Sequence, residues 1–190
     1  MNLRVNLLAV FVLSICSNYA LAQFDTVINL PENPDSANPS GFLGNSIGNN
    51  SGIFSNTQLN VSDDGSVGFN FDAGDASSTN IEVNISGGEV GSTFDALTGS
   101  TVNISGGTVG NNFDAESGST VNITGGTFGS SFDANSGSTV NISGGEGGNF
   151  FRANSGSTVN ISGGTFGSSF DANSGSTCLL YTSPSPRDRG

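Results

Sequence analysis

Asp95, Asp114, Asp133 and Asp171 each follow a phenylalanine, and they stand at multiples of 19 residues from one another. Carboxylates recurring at a fixed step suit oxygen-only coordination of a hard cation, so a rank of Ca²⁺ ions between repeats is one chemistry the column offers. The plainer reading is a solvated acidic edge that keeps the chain soluble and blocks sideways association. Stacked neighbours about 5 Å apart would repel by about 0.8 kcal/mol in water and by more at lower dielectric. Two features favour the edge. Arg152 occupies the position between Asp133 and Asp171, where it can pair with both and would expel a cation. The repeat also lacks the GGxGxDxUx pattern of calcium-binding β-rolls. No cofactor is expected, calcium at the Asp column being the one candidate. Asp63 and Asp64, with Asp72 and Asp75, form a second acidic group on a less regular stretch.

A second set is uncharged. Thr101, Asn103 and Ser105 recur as Thr120, Asn122 and Thr124, as Thr139, Asn141 and Ser143, and as Thr158, Asn160 and Ser162. On stacked strands they would form a flat ladder of hydroxyls and amides. Such a face could bind a glycan or order water as ice-binding solenoids do. The leading expectation is that the side chains bond to one another along the sheet. Six Asn-x-Ser/Thr triplets within the repeats fit the glycosylation pattern, but the repeat itself generates them.

Catalysis has little to work with. Residues 23–177 contain no His, Cys, Lys, Tyr, Met or Trp, and Arg152 is their only basic side chain. The usual nucleophile–base pairs cannot be assembled from that set. Parallel β-helix polysaccharide lyases and hydrolases do use Asp and Arg. Their sites, however, are singular sets on irregular loops, whereas these carboxylates recur along the stack. No enzymatic role is expected. Fifteen acidic residues face that single arginine, so nucleic acid is excluded as a partner and an anionic membrane surface is disfavoured. Cys16 and Cys178 lie outside residues 23–177, which leaves that stretch no disulfide and no Cys/His zinc site.

The period identifies the elements that would carry these residues. Val83, Val102, Val121, Val140 and Val159 are 19 apart, and so are Ile85, Ile104, Ile123, Ile142 and Ile161. Phe94, Phe113, Phe132, Phe151 and Phe170 keep the same step, and a Gly-Gly pair punctuates every copy. A Gly/Ser-rich acidic chain would otherwise suggest disorder, but a disordered linker has no reason to hold phenylalanines in phase. A period near 20 without helix formers predicts a solenoid. In Thr101-Val102-Asn103-Ile104-Ser105 polar and apolar residues alternate, which is a strand with Val and Ile on one face. Thr108-Val109 and Phe113-Asp114-Ala115 supply two further short strands, with Gly and Ser at the corners. The expectation is an all-β fold, a single-stranded parallel β-helix of about 19 residues per coil. Right-handed winding is the default for parallel crossovers. A left-handed coil stays open because 19 is close to three hexapeptides, although no clean hexapeptide pattern is present.

One copy is degenerate. Glu146-Gly147-Gly148-Asn149-Phe150-Phe151-Arg152 replaces Thr-Phe-Gly-Ser-Ser-Phe-Asp. Gly147 stands where Phe128 and Phe166 stand in the neighbouring copies, so a void is expected there, with Phe150 as the residue to fill it. Toward the N-terminus Leu59 and Val83 are 24 apart. That coil carries one extra residue near Asp63-Asp64 and four in the loop 74–80. Residues 57–177 are read as repeats and 23–56, with its prolines, as an N-terminal cap over the open sheet edge.

Both ends read differently from the repeat. Arg4 followed by an apolar run to Ile15 and by Ala20-Leu21-Ala22 has the form of a signal peptide over residues 1–22, too short for a membrane span. The chain is therefore expected to be secreted or displayed at the cell surface. Cys178–Asp188 resembles the in-frame translation of a transposase sequencing adapter, and residues 178–190 are read as foreign to the natural chain. Residues 23–177 resemble secreted bacterial proteins built from "GSTVNISGG…FDA" repeats, and more loosely the β-helical passengers of autotransporters and haemagglutinin-like adhesins. The passenger resemblance implies display at the cell surface and contact with other cells or surface glycans. Together these point to a non-catalytic structural or adhesive rod presenting its Thr/Asn/Ser face. The alternatives are a carbohydrate-binding or carbohydrate-processing β-helix whose active part lies beyond residue 177, and an ice-binding solenoid.

Overall fold

Alternation in Ser100–Ile104 is realised directly: Ser100, Val102 and Ile104 are buried, while Thr101 and Asn103 lie on the outer face. The structure, a computed structural model, describes residues 24–30 and 46–181. The stretch read as a signal peptide, the proline-bearing segment 31–45 and residues 182–190 lie outside the described residues.

Each regular coil contributes three strands, such as Ser100–Ile104, Thr108–Val109 and Phe113–Ala115, to three separate sheets. The first sheet has eight strands and the other two have seven, each stacked in chain order. All pairings are parallel and in register, so Val102 lies beside Val83 and Val121, and Phe113 beside Phe94 and Phe132. This is the expected all-β solenoid. The irregular coil keeps register as well, with Leu59 opposite Val83 and Phe71 opposite Phe94. Its extra residues fall between Val61 and Ser66 and between Ala73 and Ile81, so insertions are confined to corners. The segment read as a cap contributes one strand to each sheet, namely Thr26–Leu30, Ser46–Ile47 and Ser51–Ile53. Among the described residues no helix is long and apolar enough to cross a membrane.

The core is a set of columns. Phe94, Phe113, Phe132, Phe151 and Phe170 stack with centroids 4.7–4.9 Å apart and planes within 10°. That separation is the strand spacing itself, so parallel register forces the rings into one pile. Burying each interior ring contributes about 1.5–3 kcal/mol. Beside the pile runs a second column, Val90, Val109, Phe128, Gly147 and Phe166. Here the expectation for the degenerate copy fails. Phe150 is 47 % exposed and sits in the left-handed region at φ 62°, so it cannot enter the core. The neighbours close the gap instead. Phe128 and Phe166 meet edge-on at 6.1 Å across Gly147. A β-carbon built on Gly147 would lie 2.6 Å from two Phe128 ring atoms.

A column of fully buried serines was not anticipated. Ser100, Ser119, Ser138 and Ser157 each donate to the carbonyl three residues earlier at 2.6–2.7 Å. Each of those carbonyls also accepts the serine's own amide at 3.0–3.1 Å, so the buried hydroxyl is satisfied by an acceptor that the corner already supplies.

Candidate functional site

The third sheet places the acidic residues. Alternation along Phe-Asp-Ala buries Phe and Ala and turns Asp outward, and register stacks the outward positions as Gly52, Asp72, Asp95, Asp114, Asp133, Arg152 and Asp171. Asp72 therefore belongs to this column, not with Asp63 and Asp64. Those two line a shallow hollow at the corner before Ser66, together with Glu89. Asp75 closes the enlarged loop by accepting the Ser77 amide at 2.8 Å and the Ser77 and Ser78 hydroxyls at 2.9 Å. The Ser77 amide foremost, and then the two hydroxyls, hold its carboxyl below the ordinary range.

Side chains in the middle of the column are half-buried by the coils on either side. Asp95 has a carboxylate oxygen, Oδ1, that is buried with no hydrogen-bond partner. Burial raises its pKa, and the charges of Asp72 and Glu116 raise it further. Asp114 is pushed up to about 6, chiefly by burial and then by Asp95, Asp133 and Glu116, with Arg152 opposing. Arg152 makes a narrower contribution than expected. Its Nη1 donates to both carboxylate oxygens of Asp133 at 3.0 and 3.1 Å, and among the described residues Asp133 is its sole ion-pair partner, with no bond to Asp171. Among the described residues no group of three or more His, Cys, Asp or Glu side chains is arranged to hold a metal ion.

The first sheet places the uncharged face, and its three outer columns behave differently. In the central one Nδ2 of each asparagine donates to Oδ1 of the asparagine one coil earlier, from Asn60 to Asn29 and on through Asn84, Asn103, Asn122, Asn141 and Asn160. All six bonds are 2.8–3.0 Å, so the amides form one continuous chain along the rod. Ser105, Thr124 and Ser162 reach back to carbonyls of the previous coil only at 3.4–3.5 Å, and Ser143 completes their column. Thr101, Thr120, Thr139 and Thr158 are in register and half-buried, with no side-chain hydrogen bond to another described residue. The expected mutual bonding thus holds for Asn, not for Thr.

A second amide chain was missed. Asn173, Asn154 and Asn135 each donate to the residue one coil earlier at 2.9–3.0 Å, ending on Glu116. The signal was in the sequence, since Glu116, Asn135, Asn154 and Asn173 keep the 19-residue step. The chain matches no protein-family model, no curated protein and no solved structure.

Proposed function

We propose that this chain is an exported, non-catalytic rod that acts structurally or adhesively at the cell surface. The observation that carries the reading is the unbroken register of the first sheet, which presents one column of uncommitted threonine hydroxyls beside a fixed amide chain. A surface of identical weak sites at the coil spacing multiplies contacts along its length, which is how a rod without a deep pocket gains avidity. The absence of His, Cys, Lys and Tyr between residues 23 and 177 supports a role without covalent chemistry. Uncharged hydroxyls and amides suit surface glycans as the partner. The reading of residues 178–190 as adapter-derived is supported at Leu179, which stands in the asparagine column opposite Asn160, while Cys178 and Leu180 continue the columns of Val159 and Ile161.

The test is binding of the rod to a glycan array, comparing the natural chain with a Thr120→Lys, Thr139→Lys double variant. Threonine is the better target because an Asn→Lys change would also sever the amide chain. Loss of binding with unchanged far-UV circular dichroism supports the reading. Full retention of binding by the variant removes the face from it. Sequencing the source gene past codon 177 bears on display: a barrel, sorting signal or apolar anchor there places the rod on a cell, and an added catalytic domain replaces the proposal.

A further inference from the structure

The buried, partnerless Oδ1 of Asp95 is the one side-chain polar atom of its kind among the described residues. An acceptor in that position needs a donor, and the register restricts the choice. On the adjoining strands its in-register neighbours are Asp72 and Asp114. Ionised carboxylates cannot donate, so within the column only a proton, on a neighbouring carboxyl or on Asp95 itself, can satisfy the atom. Leaving it bare while both neighbours are charged combines an unsatisfied buried acceptor with two like-charge contacts at the strand spacing.

The other groups facing the column decide which neighbour holds the proton. Asp72 is exposed, so water solvates its charge. Asp133 has its charge compensated by the Arg152 guanidinium at 3.0 Å. Asp114 lies between Asp95 and Asp133, and Glu116 adds a third carboxylate that feels both Asp95 and Asp114. Asp171 lies beyond Arg152. The arrangement along the rod is then charged, accepting, protonated, charged and cationic, from Asp72 to Arg152.

We propose that the column is a proton-binding device in which Asp114 carries a proton toward Asp95 Oδ1, so that mild acidification tightens the coils that carry Asp95, Asp114 and Asp133. The direction follows from linkage. Between the pH at which an unfolded aspartate titrates, 3.8, and the value of about 6 for Asp114, the folded chain binds a proton that the unfolded chain does not. Stability contributed by the group rises as the pH falls from about 6 toward 4, and above about 6 it is flat. Most proteins lose stability over that range because their carboxylates are paired, so the sign is diagnostic. A rod outside the cell would then grip itself harder in acid surroundings than in neutral ones.

The test is a urea midpoint measured from pH 4.5 to pH 8 on the natural chain and on Asp114→Asn, with carbon-13 carboxyl NMR of Asp-labelled protein over the same range. The expected result is a higher midpoint at pH 5 than at pH 8, a raised midpoint at pH 8 in Asp114→Asn, and a flattened profile in that variant. The Asp114 carboxyl should titrate near pH 6 in the NMR series. Titration of every column carboxyl below about pH 4.5 overturns the proposal, as does a lowered midpoint in Asp114→Asn at pH 8. Calcium at about 1 mM, the range of weak extracellular sites, supplies the rival arm. A midpoint at pH 8 that calcium raises in the natural chain and not in Asp114→Asn would make the column a cation site instead.

Discussion

Replacing Phe132 with alanine tests whether the stacked rings hold the rod together. Phe132 is 1 % exposed, has rings 4.7 Å below and 4.8 Å above it, and meets Phe128 edge-on at 5.7 Å. Removing a ring so enclosed costs about 3–5 kcal/mol, because the flanking rings are fixed by backbone register and cannot collapse into the space. Phe170, in the last ring of the pile, is only half-buried and has a pile neighbour on one side alone, at 4.9 Å. Its removal should cost about 1–2 kcal/mol. Far-UV circular dichroism in urea reads both, since the chain has no tryptophan. With a slope of about 1–3 kcal/mol/M, Phe132→Ala should lower the midpoint by at least about 1 M. Coils in a solenoid are coupled only to their neighbours, so a break in the middle should also broaden or split the transition. Phe170→Ala should shift the curve without changing its shape. Equal losses in the two variants, or a loss below about 1 kcal/mol for Phe132→Ala, would refute the view that stacking in register is the main source of cohesion.

Two further substitutions probe the degenerate coil. Phe150→Asn should stabilise the chain by about 1 kcal/mol, because asparagine tolerates the left-handed backbone that phenylalanine occupies there at φ 62° while exposing its ring; a thermal midpoint that fails to rise counts against that strain. Gly147→Val should destabilise by about 1–3 kcal/mol, since its side chain would drive into the Phe128 ring, whereas a true void would make the same change neutral or favourable; urea titration gives the sign.

Everything that depended on strict recurrence was legible in the sequence. Residues repeating at 19 can only be stacked one per coil, so the Val, Ile and Phe columns, the outward Asp and the Asn chain all followed from the period. The serine column and the second amide chain keep the same step and were legible there too, whereas three other features escaped it, each for a physical reason. Asp72 was grouped with its sequence neighbours because the 24-residue coil hides its alignment with Asp95, yet an insertion at a corner leaves strand register untouched. The void at Gly147 was inferred from one column alone, whereas rings in the coils above and below are long enough to lean into the gap and meet edge-on. The raised pKa of Asp95 and Asp114 was invisible because alternation says only that Asp faces outward. How far outward depends on the flanking coils, which leave Asp72 exposed and half-bury Asp95 and Asp114. A period fixes which residues meet, and the depth of each meeting then decides whether a repeated carboxylate is an inert charge or a group whose pKa burial raises.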